Sequence, residues 1–216
     1  MALKALEKRS YACEVRALSD DSGYNIVGRP IVYESRTDLG YFDEVIARGA
    51  LDGANLTDVR FLINHDLRRI PLARSRRNNG NSTMLLSPDY DGMEIKANID
   101  VENNSDSRAL YSATERGDIT GMSFMFSIDA EEWEDLESDH PTRRITKIGS
   151  VVEVSAVTLP AYESTSISAR SAEELESAEA VLESAREEYR QKNNPVETGN
   201  NELELEKAKF NFRSKL

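Results

Sequence analysis

Residues 150–159 read SVVEVSAVTL. Valines at 151, 152, 154 and 157 favour a strand over a helix, and Pro160 closes the run. Side chains alternate along a strand, so Val151, Glu153, Ser155 and Val157 share one face, and Val152, Val154 and Ala156 the other. Glu153 is the one ionisable residue of an otherwise apolar strand. A carboxylate there is costly to bury unless it is paired. An arginine partner makes Glu153 structural; an imidazole N–H makes it functional.

Working outward, MSFMFSI (122–128) sets Phe124, Phe126 and Ile128 against Ser123, Met125 and Ser127. With the aromatic face in the core, Ser123 projects to the opposite side, just after Gly121 gives the backbone room to turn. VRFLI (59–63) is continuously apolar and suits a strand covered on both sides. MEIKANI puts Met93, Ile95, Ala97 and Ile99 on one face, and Ile31–Tyr33 and Met84–Leu86 are shorter candidates. The helical exception is SDSRALYSATERGD (105–118). There Ser105 or Asp106 caps the start, Ala109, Leu110 and Ala113 form the stripe, and Gly117 supplies the stop. The expected fold is mainly β with flanking helices, an α+β protein whose strands close into a small β-barrel.

After Arg170 the pattern changes. Ser171 and Glu174 have capping-box spacing, and Leu175, Ala178, Leu182, Ala185 and Tyr189 recur at coiled-coil intervals. Asn193, Asn194 and Pro195 end this helix, and VETGNN connects it to a short, weakly amphipathic finish. A helix docked on its own domain and a contact with another chain both fit. The reading is a domain over 1–170 and a charged helical tail over 171–216.

The formal net charge of −12 argues against general affinity for nucleic acid or anionic membranes, since both need a basic face. Residues 171–216 hold 11 Glu against 7 Lys plus Arg, so the acidity is not concentrated in the tail. The single cysteine, Cys13, has no internal partner, and no apolar run approaches the ~20 residues of a membrane span. The N-terminal MALKALEKRSY is too charged for a signal-peptide apolar region. The expectation is a soluble intracellular protein.

FLINHDLRRIPLARS (61–75) places His65, one of only two histidines, at the end of an apparent buried strand. Such a histidine is a core residue, a metal ligand or a general base. Metal is the weakest reading, because His140 lies in the charged EDLESDHPTRR and there is neither HExxH nor a cysteine pair. A base needs a hydroxyl to deprotonate and an acceptor to orient its ring. Strand geometry offers Ser123 for the first and Glu153 for the second. Asp66 competes, but as the immediate neighbour of His65 in an extended segment it points the other way.

FLINHDLRRIPLARS, GDITGMSFMFSI and VVEVSAVTLPAYESTSISAR, in that order, resemble the three blocks of the tailed-phage prohead protease (capsid maturation protease) family, with distant similarity to herpesvirus assemblin. IVGRPIVYESRTDLGYFDEVIARGAL resembles the family's opening, and the likeness covers roughly residues 10–170. It implies an assemblin-like barrel and a serine endopeptidase that cleaves capsid-precursor or scaffold segments, and itself, inside the assembling prohead in the host cytoplasm. Carried over by position, His65 is the general base, Ser123 the nucleophile and Glu153 the orienting acid. No cofactor or metal is implied. The implied partners are the major capsid protein precursor or scaffold, with a homodimer suggested by the assemblin likeness and no nucleic acid or membrane. Arg143 and Arg144 are oxyanion contributors by loose analogy. Ala73 stands where the family often has glycine, and Met125 where a second glycine usually follows the serine, narrowing the pocket beside Ser123. The rival reading is a non-catalytic capsid-assembly module whose strands bind and whose 171–192 helix docks scaffold; a carboxylate-metal hydrolase is a third.

Overall fold

The computed structural model describes residues 6–158 and 172–193. Its framework is a hairpin of two long antiparallel strands, Gly121–Glu134 (β10) and Thr142–Val157 (β11). Around it, Glu7–Ala12 (β1) pairs with β10, and Asp43–Ile46 (β5) runs parallel to the start of β11, followed by Arg36–Asp38 (β4). Arg60–Ile63 (β6) runs parallel to the other end of β11 and carries Ala73–Arg74 (β7) on its outer side. These seven strands form one sheet. A second sheet has the order β2, β3, β9, β8, from Val15–Asp20, Gly23–Val32, Gly92–Asn98 and Met84–Asp89.

The fold is therefore mainly β, as read, but the expected barrel is not formed: the described strands make two open sheets. Closure requires every strand to be paired on both sides. In the first sheet β1, β4 and β7 each have one neighbour, and in the second so do β2 and β8. One apolar cluster is shared by both sheets, with Ile26, Ile31, Met93 and Ile95 from the second and Phe61, Phe124, Phe126 and Val154 from the first.

The alternation read along 150–159 breaks at one place. Met125 faces Glu153, but the next residue, Phe126, faces Val151, so Val152 is the extra residue of a bulge. Val151 is thereby moved from the Glu153 face into the core. Beyond the bulge both strands continue through the charged segments EEWE and TRRIT, which carry few apolar signals. Paired charges hold them. Arg9 bonds Glu44 through Nε at 2.5 Å and Nη2 at 2.7 Å, and Arg143 bonds Glu7, Glu131 and Glu44 at 2.9, 2.5 and 3.3 Å. The Glu44 side chain is fully buried. Arg143 and Arg144, the latter paired with Glu34 and Glu134, are thus not oxyanion groups. Arg143 lies ten residues along β11 from Glu153, about 30 Å in a strand.

Helix α1 spans Ser105–Glu115 and is capped by Asn104, not by Ser105 or Asp106; the Asn104 side chain accepts from the amides of Asp106 and Ser107. Its buried positions are Ser107, Leu110 and Thr114, and Ala109 is exposed. Gly117, at φ +79°, ends it as expected.

Helix α2 spans Ala172–Asn193. The chain divides into two compact units, Met1–Ala178 and Glu179–Leu216, with the division inside this helix. Leu182 is buried and Tyr189 is 42% exposed, so the final position of the expected stripe faces solvent. Ser171, the 194–200 connector and the C-terminal segment lie outside the described residues.

Candidate active site

β6 ends at Ile63, and the chain then turns through two consecutive left-handed residues, Asn64 at φ +50° and His65 at φ +59°. His65 is not in an extended segment. The end of β11 holds the turn in place. The Asn64 amide donates to Ala156 O at 3.0 Å, the Thr158 amide donates to Asn64 Oδ1 at 3.0 Å, and the His65 amide donates to Ser155 Oγ at 3.1 Å.

This turn brings the imidazole onto β11. Its Nδ1 lies 2.5 Å from Glu153 Oε1, with the His65 side chain 14% exposed and the Glu153 side chain fully buried. Glu153 Oε2 accepts from the Ser155 hydroxyl at 2.6 Å. Among the described residues Glu153 has no arginine partner; Arg60, its register neighbour on β6, turns to Asp58. Asp66 does leave the imidazole alone, for a different reason than the one expected: its carboxylate accepts from the amide and Nε of Arg68.

Ser123 stands in a row of three serines across three strands, facing Ser10 on β1 and Ser155 on β11. Directly opposed residues have Cβ atoms about 5 Å apart, so Ser123 shares the face of Ser155 and Glu153. It is buried, and its hydroxyl donates to Arg9 O at 2.7 Å. Among the described residues no hydrogen bond joins it to His65. Gly121 does not turn the chain; it is the first residue of β10, paired with Ala12 and Val157. Met125 is buried beside this row, opposite Lys8 and Glu153.

Two other groups bear on the chemistry. Burial pushes the Cys13 thiol above its ordinary range, which disfavours the nucleophilic thiolate. His140 belongs to a separate cluster with Asp38 and Asp43, where its Nε2 lies 3.2 Å from Asp43 Oδ1 while Arg36 takes the other Asp43 oxygen at 2.7 Å.

A buried carboxylate on Nδ1 of an imidazole leaves Nε2 to take and return a proton, the arrangement used in nucleophilic hydrolysis. A family model described as the caudovirus prohead serine protease matches residues 11–179. The chain belongs to this family. Among solved structures, the prohead protease is similar to the capsid assembly protease gp21 of bacteriophage T4, with 13% identity, a TM-score of 0.43, and coverage of 70% of this chain and 96% of that one. No curated protein matches it. The prohead protease is a serine protease, and the reading as a non-catalytic assembly module falls away.

Of the three residues selected from sequence, the protease joins His65 and Glu153 directly and sets Ser123 on their face, two strands from β6. Alternation already set Ser155 on the Glu153 face, but sequence alone gave its hydroxyl no role; the structure turns it to that carboxylate.

Proposed function

We propose that this protease cleaves capsid-precursor or scaffold segments, and itself, within the assembling prohead, with Ser123 as nucleophile, His65 as general base and Glu153 as orienting acid. The observation that carries the reading is the 2.5 Å contact between His65 Nδ1 and a fully buried Glu153 carboxylate. Such a contact fixes the ring tautomer and stabilises the imidazolium that forms during the reaction.

Ser123 attacks the scissile carbonyl while its proton passes to His65 Nε2. The imidazolium returns that proton to the leaving amine, producing an acyl-enzyme. Water then attacks the ester, giving its proton to the same nitrogen, and Ser123 recovers it as the acid product leaves. Before the first step the Ser123 hydroxyl turns from the Arg9 carbonyl to the imidazole.

Co-expression with the cognate capsid precursor tests the assignment. Wild type shortens the precursor, whereas Ser123→Ala and His65→Ala leave it intact. Cleavage that survives Ser123→Ala but not Ser155→Ala would move the nucleophile to Ser155.

A further inference from the structure

Ser155 is a fully buried serine whose hydroxyl makes two hydrogen bonds, both within the site. A hydroxyl has one donor and two acceptor positions. The donor goes to Glu153 Oε2 at 2.6 Å, and an acceptor position takes the His65 amide at 3.1 Å. Both contacts satisfy groups that have few alternatives. The Glu153 side chain has no solvent exposure, and its other oxygen is already engaged by the imidazole. The His65 amide belongs to a left-handed turn, outside the β6–β11 ladder that ends at Ile63 and Ala156.

We propose that Ser155 is the positioning residue of this site: one hydroxyl bridges the Glu153 carboxylate and the His65 main chain and so sets the imidazole with Nδ1 on the carboxylate and Nε2 free. The proposal rests on the reading of His65 and Glu153 as base and orienting acid.

Three features favour positioning over attack. The Ser155 hydrogen points at a carboxylate, not at an imidazole nitrogen. The hydroxyl meets His65 at its main chain, whereas Nε2 lies at the far edge of the ring from the Nδ1 that Glu153 holds. The neighbouring strand supplies another serine, Ser123, directly opposite Ser155 on the same face, so the site does not lack a hydroxyl if Ser155 is committed elsewhere. Removing the Ser155 hydroxyl leaves Glu153 Oε2 without its donor. The carboxylate's charge then falls more fully on the imidazolium, an effect that a pH–rate profile reads and a purely structural role would not produce.

The test is the rate at which a fluorophosphonate labels the full-length protein across pH 5–9, with the modified residue located by peptide mapping and folding followed by thermal melting. In wild type the label falls on Ser123. In Ser155→Ala it stays on Ser123 but forms about 10- to 100-fold more slowly at neutral pH, the scale set by losing a hydrogen bond to a charged group. The acid limb of the profile moves to higher pH, and Ser155→Thr, which keeps a hydroxyl, restores both rate and limb. An unchanged rate and limb in Ser155→Ala would overturn the proposal while leaving the catalytic assignment standing. Slowing by one factor at every pH, with a lowered melting temperature, would reduce Ser155 to a core residue. Wild-type label on Ser155 itself would overturn both the proposal and the reading beneath it. Label on neither serine would overturn both as well.

Discussion

Asn64 and His65 both occupy the left-handed region, at a cost of order 1–3 kcal/mol for each non-glycine residue. Asparagine tolerates that region better than most residues, and here its side chain also accepts from the Thr158 amide. The return on this strain is a ring aimed at β11 instead of along β6. Glu153→Gln tests how much of catalysis depends on that aim. An amide oxygen can still accept from Nδ1–H, but it carries no charge to stabilise the imidazolium. We therefore expect kcat/KM for precursor cleavage to fall by up to about 10⁴-fold while staying above that of Ser123→Ala, as third members of serine-protease triads do. Full activity in Glu153→Gln would return this carboxylate to a structural role.

At the scale of elements, the far end of the β10–β11 hairpin is held by charge where apolar residues are few. Glu44 on β5 is the buried hub, touching Arg9 from β1 and Arg143 from β11. Replacing a buried ion pair by apolar residues can be neutral, but removing one partner is destabilising. Glu44→Ala removes the fully buried acceptor that Arg9 and Arg143 share and leaves them their bonds to Glu7 and Glu131, so we expect it to lower unfolding free energy by about 2–3 kcal/mol in a denaturant titration. A second constraint lies in the other sheet, where Gly92 begins β9 at φ +144°. A Cβ there would sit 2.0 Å from Ile31 O, backbone that cannot yield without breaking the β3–β9 pairing. Gly92→Ala should therefore lower the melting temperature more than an alanine at exposed Glu102, measured by calorimetry.

For the molecule as a whole, the same network sets the response to acid. Burial alone would raise the Glu7 carboxyl, but the charges of Arg9 and Arg143 and their hydrogen bonds outweigh it and hold Glu7 below its ordinary value. A carboxyl depressed in the folded state contributes stability above its unfolded pKa, roughly 4.3, and loses it as pH falls through the folded value. Unfolding free energy measured from pH 6 down to pH 2.5 should fall more steeply below about pH 4.3 in wild type than in Glu7→Gln, which has no proton to take up there. The tail poses a separate question of scale. If residues 171–216 tether the protease to its substrate, they raise local concentration without touching the chemistry. A chain ending at Arg170 should then cleave a short peptide at the full-length rate but process assembled precursor more slowly; equal efficiency on both would remove the tether.

Local pattern was enough to mark the strand carrying Glu153, the alternation that puts Ser123 opposite the aromatic core, and the odd histidine after VRFLI, because period and polarity are properties of neighbouring residues. It was not enough to show the bulge at Val152 or the left-handed turn at His65, since both are imposed by the strands alongside. The long charged halves of β10 and β11 were hidden for the same reason: their partners Arg9 and Glu44 lie far away in sequence. Ser155 was legible as a face-mate of Glu153, but only the register of β6 against β11 gave its hydroxyl two partners at once. Sequence by itself determined which side chains could do the chemistry and on which faces they stand. Pairing between distant strands decided which of them meet, because a hydrogen bond depends on distances that local periodicity does not contain.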